Sequence, residues 1–409
     1  MEVGVEPWLK LGSGIEGEIM KITALETMAC DAGRRNYYFC KVTTEDGVEG
    51  WSEFDESFGP PGVSLAIERF APFVIGEDVL AHEKIYAKLF NAKRTATGAT
   101  SALAAGAIEN AVLDAKAKTL GVPCHAILGG KIRDSVRVYW SHCAFWQVNF
   151  PDDYPEPAIT TLDDIKAAGA RARDMGFTAL KSGILLSEDG PLKSWGAGFG
   201  RPFYPELNME KKITRQIHAE YEAFRDGAGP DMDILLDLNF NAKTEGFLQV
   251  IRAISDLDMF WIEIDSDNPK ALAYIRDHSP FPISSCETLM GLRRFLPYFD
   301  NQSMDVAIID AVWNGIWQSM KIAAAADAFE VNVAPHNFYG HLATMMNAHF
   351  ACAVPNLRIV ETDIDRIAID SVVFDGEPEI VDGYLVLPDT PGWGITPIEE
   401  AIRENPPKT

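Results

Sequence analysis

Five short apolar runs between Ile234 and His336 each end in a residue able to bind a metal or move a proton. They are ILLDLN with Asp237, MFWIEI with Glu263, FPISSCE with Glu287, MDVAIID with Asp310 and VNVAPH with His336. The successive intervals are 26, 24, 23 and 26 positions, and stretches of helical patterning such as GFLQVIRAISDL and NGIWQSMKIAAAADAF lie between them. One strand, one helix and two loops fill such an interval. Repetition at this period requires parallel strands joined by right-handed crossovers, and several in a row predict a closed α/β barrel. Polar residues at the carboxyl ends of such strands read as catalytic.

Three further runs bring the count of barrel strands to eight. They are SVRVYW from about Val136, which stops near Ser141 and His142, GFTALK ending at Lys181, and LRIVE ending at Glu361. Lys181 and Asp237 are 56 positions apart, and the excess is SEDGPLKSWGAGFGRPFYPELN, residues 187–208. A long ordered loop on the catalytic face is expected to be a lid or specificity element, packed through Trp195, Phe199, Phe203 and Tyr204. Ahead of the barrel, EIMKITALETMAC and YYFCKVTTEDGVEGWSEF read as paired strands, and three helical segments follow, the last stopping at Gly121 and Pro123. The expected division is a small α+β domain over 1–132, the barrel over 133–370, and a tail over 371–409. That tail returns to the small domain through the strand signals SVVF and YLVL.

The 409 residues carry a net charge of −24, spread along the chain rather than gathered in a tail, which argues against nucleic acid and anionic membranes as partners. No apolar run approaches the roughly 20 residues of a membrane span. MEVGVEPWLK lacks a basic flank followed by an apolar block, so a cytoplasmic location is expected. Six scattered cysteines read as reduced core thiols.

Asp237, Glu263 and Glu287, at the ends of three consecutive strands, would converge, and three uncompensated carboxylates repel. A divalent cation resolves this, and all-oxygen ligation favours a hard ion, Mg2+. Asn239 is placed to support that shell. Asp310 and His336 end adjacent strands, where the carboxylate would fix the imidazole tautomer of a general base. Lys181 is expected as a second base, if its pKa is depressed, or as a cation for a substrate carboxylate. Glu361 reads as an acid for an enolate oxygen or as a salt-bridged strand end. Together these groups suit removal of a proton α to a carboxylate, with the developing charge stabilised by metal and hydrogen-bond donors.

With these residues, and with VTTEDGVEGWSEF, AIENAVLDAKAKTLGVPCHAILGGKIRDSVRVY and the PGWGI turn, nearly the whole chain resembles the enolase superfamily and, within it, the mandelate racemase subgroup. The resemblance implies an α+β capping domain over a modified (β/α)8 barrel, a Mg2+ cofactor, a carboxylate substrate enclosed by the loops DAGRRN and 55–62, and a homo-oligomer. By the same resemblance Glu361 falls where the subgroup has its enolate-stabilising acid, and Lys181 at the first lysine of a Lys-x-Lys motif. The second lysine is replaced by Gly183. Racemisation needs bases on both faces of the substrate, whereas β-elimination does not. The expected reaction is therefore dehydration of a sugar acid to a 2-keto-3-deoxy acid. Lys193 is a candidate for the missing group, and Arg94, Tyr339 and His341 are candidates for substrate contacts. A racemase, epimerase or cycloisomerase of the same subgroup is the alternative, and a non-catalytic acid-sugar or metal-binding protein is the further one.

Overall fold

The computed structural model describes residues 19–95, 97–154, 156–187, 190–196, 209–365 and 367–408. Strands β1 (Ile22–Asp31), β2 (Asn36–Thr44) and β3 (Glu49–Phe54) form an antiparallel sheet in the order β1-β2-β3. Gly47, with φ 83°, supplies the left-handed residue of the β2–β3 turn. The helix Ala99–Thr119 lies on this sheet and is buried on every side from Leu103 to Ala115. It comes so close that a Cβ on Gly50 would stand 2.2 Å from the carbonyl oxygen of Ala111. Only glycine fits there.

Eight parallel strands follow: β4 (Ser135–Trp140), β5 (Ala179–Ser182), β6 (Asp233–Asp237), β7 (Trp261–Glu263), β8 (Ile283–Ser285), β9 (Val306–Ile309), β10 (Asn332–Pro335) and β11 (Val360–Thr362). Consecutive strands pair from β4 to β10, and β11 pairs with β4. The ring closes ahead of β11, where Val333 N–H donates to the Asn356 carbonyl (2.9 Å) and Arg358 N–H to that of Val333 (2.8 Å). Inside, Tyr139, Ala179, Leu235, Trp261, Ile308 and Ala334 fill the barrel as a packed core. This leaves only the carboxyl ends of the strands free to build a site.

The tail departs from expectation in two ways. Ser371–Phe374, read as a strand, enters the helical turn Asp370–Val373, where the Asp370 carboxylate accepts from Tyr37 Oη at 2.7 Å. Tertiary anchoring overrides the β-branched valines. The second strand, Tyr384–Val386, pairs antiparallel with β4 and so extends the barrel sheet. The return to the small domain comes later, as Trp393 donates Nε1–H to the Trp51 carbonyl and Glu399 pairs with Lys41 at 2.6 Å. Among the described residues no helix is long and apolar enough to cross a membrane. All six cysteines are free and buried.

Candidate active site

Each barrel strand delivers a polar residue to the mouth, in ring order His142, Lys181, Asp237, Glu263, Glu287, Asp310, His336 and Glu361. Positive φ at Cys286 (93°) and Asn239 (40°) turns the chain sharply where β8 and β6 end. Lys181 Nζ, almost wholly buried, stands 3.0 Å from Glu263, 3.0 Å from Glu361 and 3.4 Å from Asp237. Burial opposes its charge, but Glu263 and Glu361 outweigh burial and hold the ammonium well above its ordinary value. Lys181 is a cation among acids.

Burial also pushes the Glu263 and Asp237 carboxyls up, against the pull of Lys181 and aided by their acidic neighbours. Asp265, two residues beyond Glu263, was not singled out in the sequence although period-2 alternation puts both on one face. Burial and Glu287 raise it strongly. Glu263 Oε1 and Asp265 Oδ2 are buried with no hydrogen-bond partner. Among the described residues no three of these groups form a closed metal-binding set, and the Lys181 ammonium lies within 3.4 Å of both Asp237 and Glu263. Surplus carboxylate oxygens with orphaned lone pairs, and no Cys among them, fit a hard divalent cation. Asn239 donates from Nδ2 to Asp237 at 2.5 Å and fixes that carboxylate.

His336 Nδ1 lies 2.6 Å from Asp310 Oδ2, which also accepts from Tyr339 Oη at 2.5 Å, while Asp310 Oδ1 caps the Trp313 N–H. The carboxylate thus fixes an Nδ1–H tautomer. Nε2 is left 3.5 Å from Glu287. Burial works against the imidazolium, yet Glu287, Asp310 and Glu361 push it up to about 10. Glu361 accepts from Ser141 Oγ at 2.5 Å and from Asn337 N at 2.8 Å. Against burial, Lys181 and His336 hold it well below the carboxylate range. Its contacts are those of a salt-bridged strand end, one of the two roles that the sequence leaves open.

These groups open on a cavity of about 460 Å³ walled by Phe58, Phe145, Trp146, Trp195, Trp313 and Phe338, with His142 among its polar lining. Phe58 comes from the 55–62 loop. Arg34 of the DAGRRN loop stands behind the wall, paired with Asp363 at 3.3 Å and lying 4.7 Å over the Trp146 ring. Of the insertion, Ser194 and Trp195 line the cavity, while Phe199, Phe203 and Tyr204 lie outside the described residues.

Four sequence candidates fall elsewhere. Arg94 is exposed on the turn after the helix His82–Ala92, away from the cavity. Lys193 is exposed too, since alternate strand residues face opposite ways and Ser194 takes the inward place. His341 is buried, with Nδ1 3.1 Å from the Gly376 carbonyl and its ring stacked on Phe374. Tyr339 reaches Asp310 rather than the cavity.

Residues 20–129 match the family described as mandelate racemase / muconate lactonizing enzyme, N-terminal domain, and residues 164–401 match the enolase C-terminal domain-like family. A D-galactonate dehydratase family member of Streptomyces bingchenggensis is 26% identical over 399 residues, 93% of this chain and 92% of that protein. The D-xylonate dehydratase of Haloferax volcanii is 26% identical over 392 residues, covering 94% and 88%. A solved structure from Burkholderia xenovorans strain LB400, provisionally named an L-alanine-DL-glutamate epimerase, is 56% identical with a TM-score of 0.94, covering 95% of this chain and 99% of its own. The same protein has been crystallised with magnesium and fumarate.

Proposed function

The chain belongs to the enolase superfamily, in its mandelate racemase and muconate lactonizing enzyme group, and from that premise we propose that it dehydrates a sugar acid to a 2-keto-3-deoxy acid. The observation that carries this reading is the inequality of the two sides of the cavity. On one side stands His336 with its orienting carboxylate. On the other, a Cβ on Gly183 would meet the Phe145 ring at 2.9 Å, so an aromatic wall takes the place of a second base.

Asp237, Glu263 and Glu287 would hold Mg2+, which when bound supplies Lewis-acid polarisation of the substrate carboxylate. Glu287 is the main group raising His336, so with that charge taken up by a ligand the neutral His336 would take the α-proton at Nε2, and Asp310, with Tyr339 behind it, would steady the imidazolium that forms. Lys181 places a fixed positive charge beside the developing enediolate. As the C–H electron pair moves into the carbon skeleton, the β-hydroxyl departs and leaves as water with the proton returned by His336. The enol product then tautomerises to the 2-keto acid.

A screen of Mg2+-loaded protein against mono- and di-acid sugars, detecting 2-keto acids with semicarbazide, tests the reading. A product that disappears in His336→Asn is expected. The second reading, an epimerase of the same group, is favoured by the designation of the Burkholderia protein. Solvent deuterium entering recovered substrate with no keto acid formed would replace dehydration by that reading.

A further inference from the structure

Immediately beyond β4, the Ser141 hydroxyl donates to Glu361 at 2.5 Å and also lies 3.0 Å from His142 Nδ1. A hydroxyl has one hydrogen, and an ionised carboxylate has none to return. Nδ1 must therefore carry the hydrogen and donate to Ser141, which leaves Nε2 a bare lone pair. Among the described residues Nε2 has no hydrogen-bond partner, and the side chain keeps 22% of its surface accessible where it lines the cavity. Burial, aided by Lys181 and Arg34, brings the imidazole down to about 3 and keeps it neutral.

The ring is also locked. It stacks on Trp146 at 4.3 Å and packs near Phe338, and Trp146 in turn donates Nε1–H to Asp363. The backbone at His142 is left-handed (φ 54°), and so is that at Ala144 (φ 68°), a strained turn held by these contacts. In the ring of strands β4 stands opposite β8, and the acids that call for a cation lie on β6, β7 and β8. His142 therefore faces whatever part of a bound acid points away from its carboxylate.

We propose that His142 is the specificity-determining residue of this cavity, an acceptor-only nitrogen that selects acids carrying a hydroxyl remote from the carboxylate. This deepens the sugar-acid reading above and rests on its placement of the carboxylate beside β6–β8. The aromatic wall and the single acceptor divide the work. The rings cover the C–H faces of a polyol chain, and Nε2 rejects a chain with no donor, because the lone pair would then be buried unmet.

The test is made on the Mg2+-loaded full chain labelled with 15N in histidine. Long-range 1H–15N correlation, assigned by loss of the signal in His142→Asn, is expected to show a protonated Nδ1 and an unprotonated Nε2. A six-carbon aldonate should shift that Nε2 signal and bind roughly 10- to 100-fold more tightly than hexanoate. The preference should fall to near parity in His142→Phe, which keeps a ring on Trp146, and in His142→Asn, whose residue type suits the left-handed backbone. An Nε2–H tautomer, a wild type with no preference, or a preference surviving in both variants would each overturn the proposal. His336→Asn is expected to retain the binding preference while losing turnover, so failure of the dehydration reading and failure of the His142 assignment are read on separate axes.

Discussion

Two sets of buried carboxylates lie within this molecule, and they are partnered in opposite ways. Where the small domain meets the barrel, the buried acids Glu53, Glu109 and Asp114 are each met by two backbone N–H groups. Glu53 accepts from Gly340 (2.6 Å) and Ala343 (3.1 Å), and Glu109 from Trp317 (3.1 Å) and Gln318 (3.2 Å). Asp114 accepts from Trp51 (2.8 Å) and Trp393 (3.0 Å). Glu53 and Glu109 thus serve as N-terminal caps, from another domain, for the helices His341–Ala353 and Ile316–Ala328. The approach is close enough that a Cβ on Gly315 would stand 2.2 Å from Glu109. At the barrel mouth, by contrast, Asp237, Glu263 and Glu361 share one ammonium, and Glu263 and Asp265 each keep a buried oxygen without a partner. A carboxylate whose lone pairs are all taken fastens structure. One left short keeps lone pairs that a ligand could take.

Glu263→Gln offers the largest effect with which to break this contrast. It removes a charge whose partners include no backbone donor, so the metal-free protein should be no less stable than wild type. Turnover by the dehydration assay should fall about 10³-fold, the loss of several kcal/mol of charge stabilisation. Wild type should melt at a higher temperature when Mg2+ is added, by mass action on the folded state, and the variant should not. A variant that kept both the Mg2+-dependent melting shift and the turnover would remove Glu263 from the ligand set.

Glu109→Ala is expected to do the reverse. It orphans the two backbone donors and the Gln318 side-chain amide, and should cost about 3 kcal/mol in denaturant unfolding. Its pH signature sharpens the comparison. Burial raises Glu109 to about 7 from an ordinary 4.5, against the pull of its Gln318 donors. The folded state therefore holds a proton that the unfolded state has released. The resulting stabilisation is complete below pH 4.5 and is lost as pH rises through 7. The stability of wild type relative to Glu109→Gln should then decline by roughly 3 kcal/mol between those limits. Referring each measurement to the glutamine variant cancels the titration of groups elsewhere. A difference that is flat with pH would mean that the backbone donors already hold Glu109 ionised.

The two regions were unequally legible in the sequence. The barrel and its mouth could be read because their signals are local. An apolar run that stops at Asp237 or Glu263 carries its own strand end, and a spacing of 23 to 26 residues repeats the same unit. The fasteners could not be read, since Glu53 meets its donors 287 and 290 positions away and Glu109 meets its own at 208 and 209. His142 was placed at a strand end by the sequence, but its role was not legible for a related reason. Its role depends on a tautomer set by Ser141 and Glu361, the second of which lies 220 positions from Ser141. Lys193 and Arg94 show the converse failure, where a suitable residue type in a plausible segment faces solvent. In the tail, the strand Tyr384–Val386 could be recognised from its residues, but its choice of β4 as partner could not.

Tyr339→Phe carries the smallest expected effect and probes the one place where the two principles meet. Asp310 is capped by a backbone N–H like the fasteners, yet it also orients His336 at the mouth. The Tyr339 hydroxyl shares Asp310 Oδ2 with the imidazole, so its loss leaves the carboxylate two donors instead of three. If Asp310 behaves as a fastener with donors to spare, the variant should lose about 1 kcal/mol of stability and show a several-fold fall in kcat. KM and the Mg2+-dependent melting shift should stay at wild-type values, since Tyr339 reaches neither the cavity nor the β6–β8 acids. A fall in kcat as deep as that of His336→Asn would show instead that the hydroxyl is part of the proton path, and that Asp310 belongs with the under-partnered set.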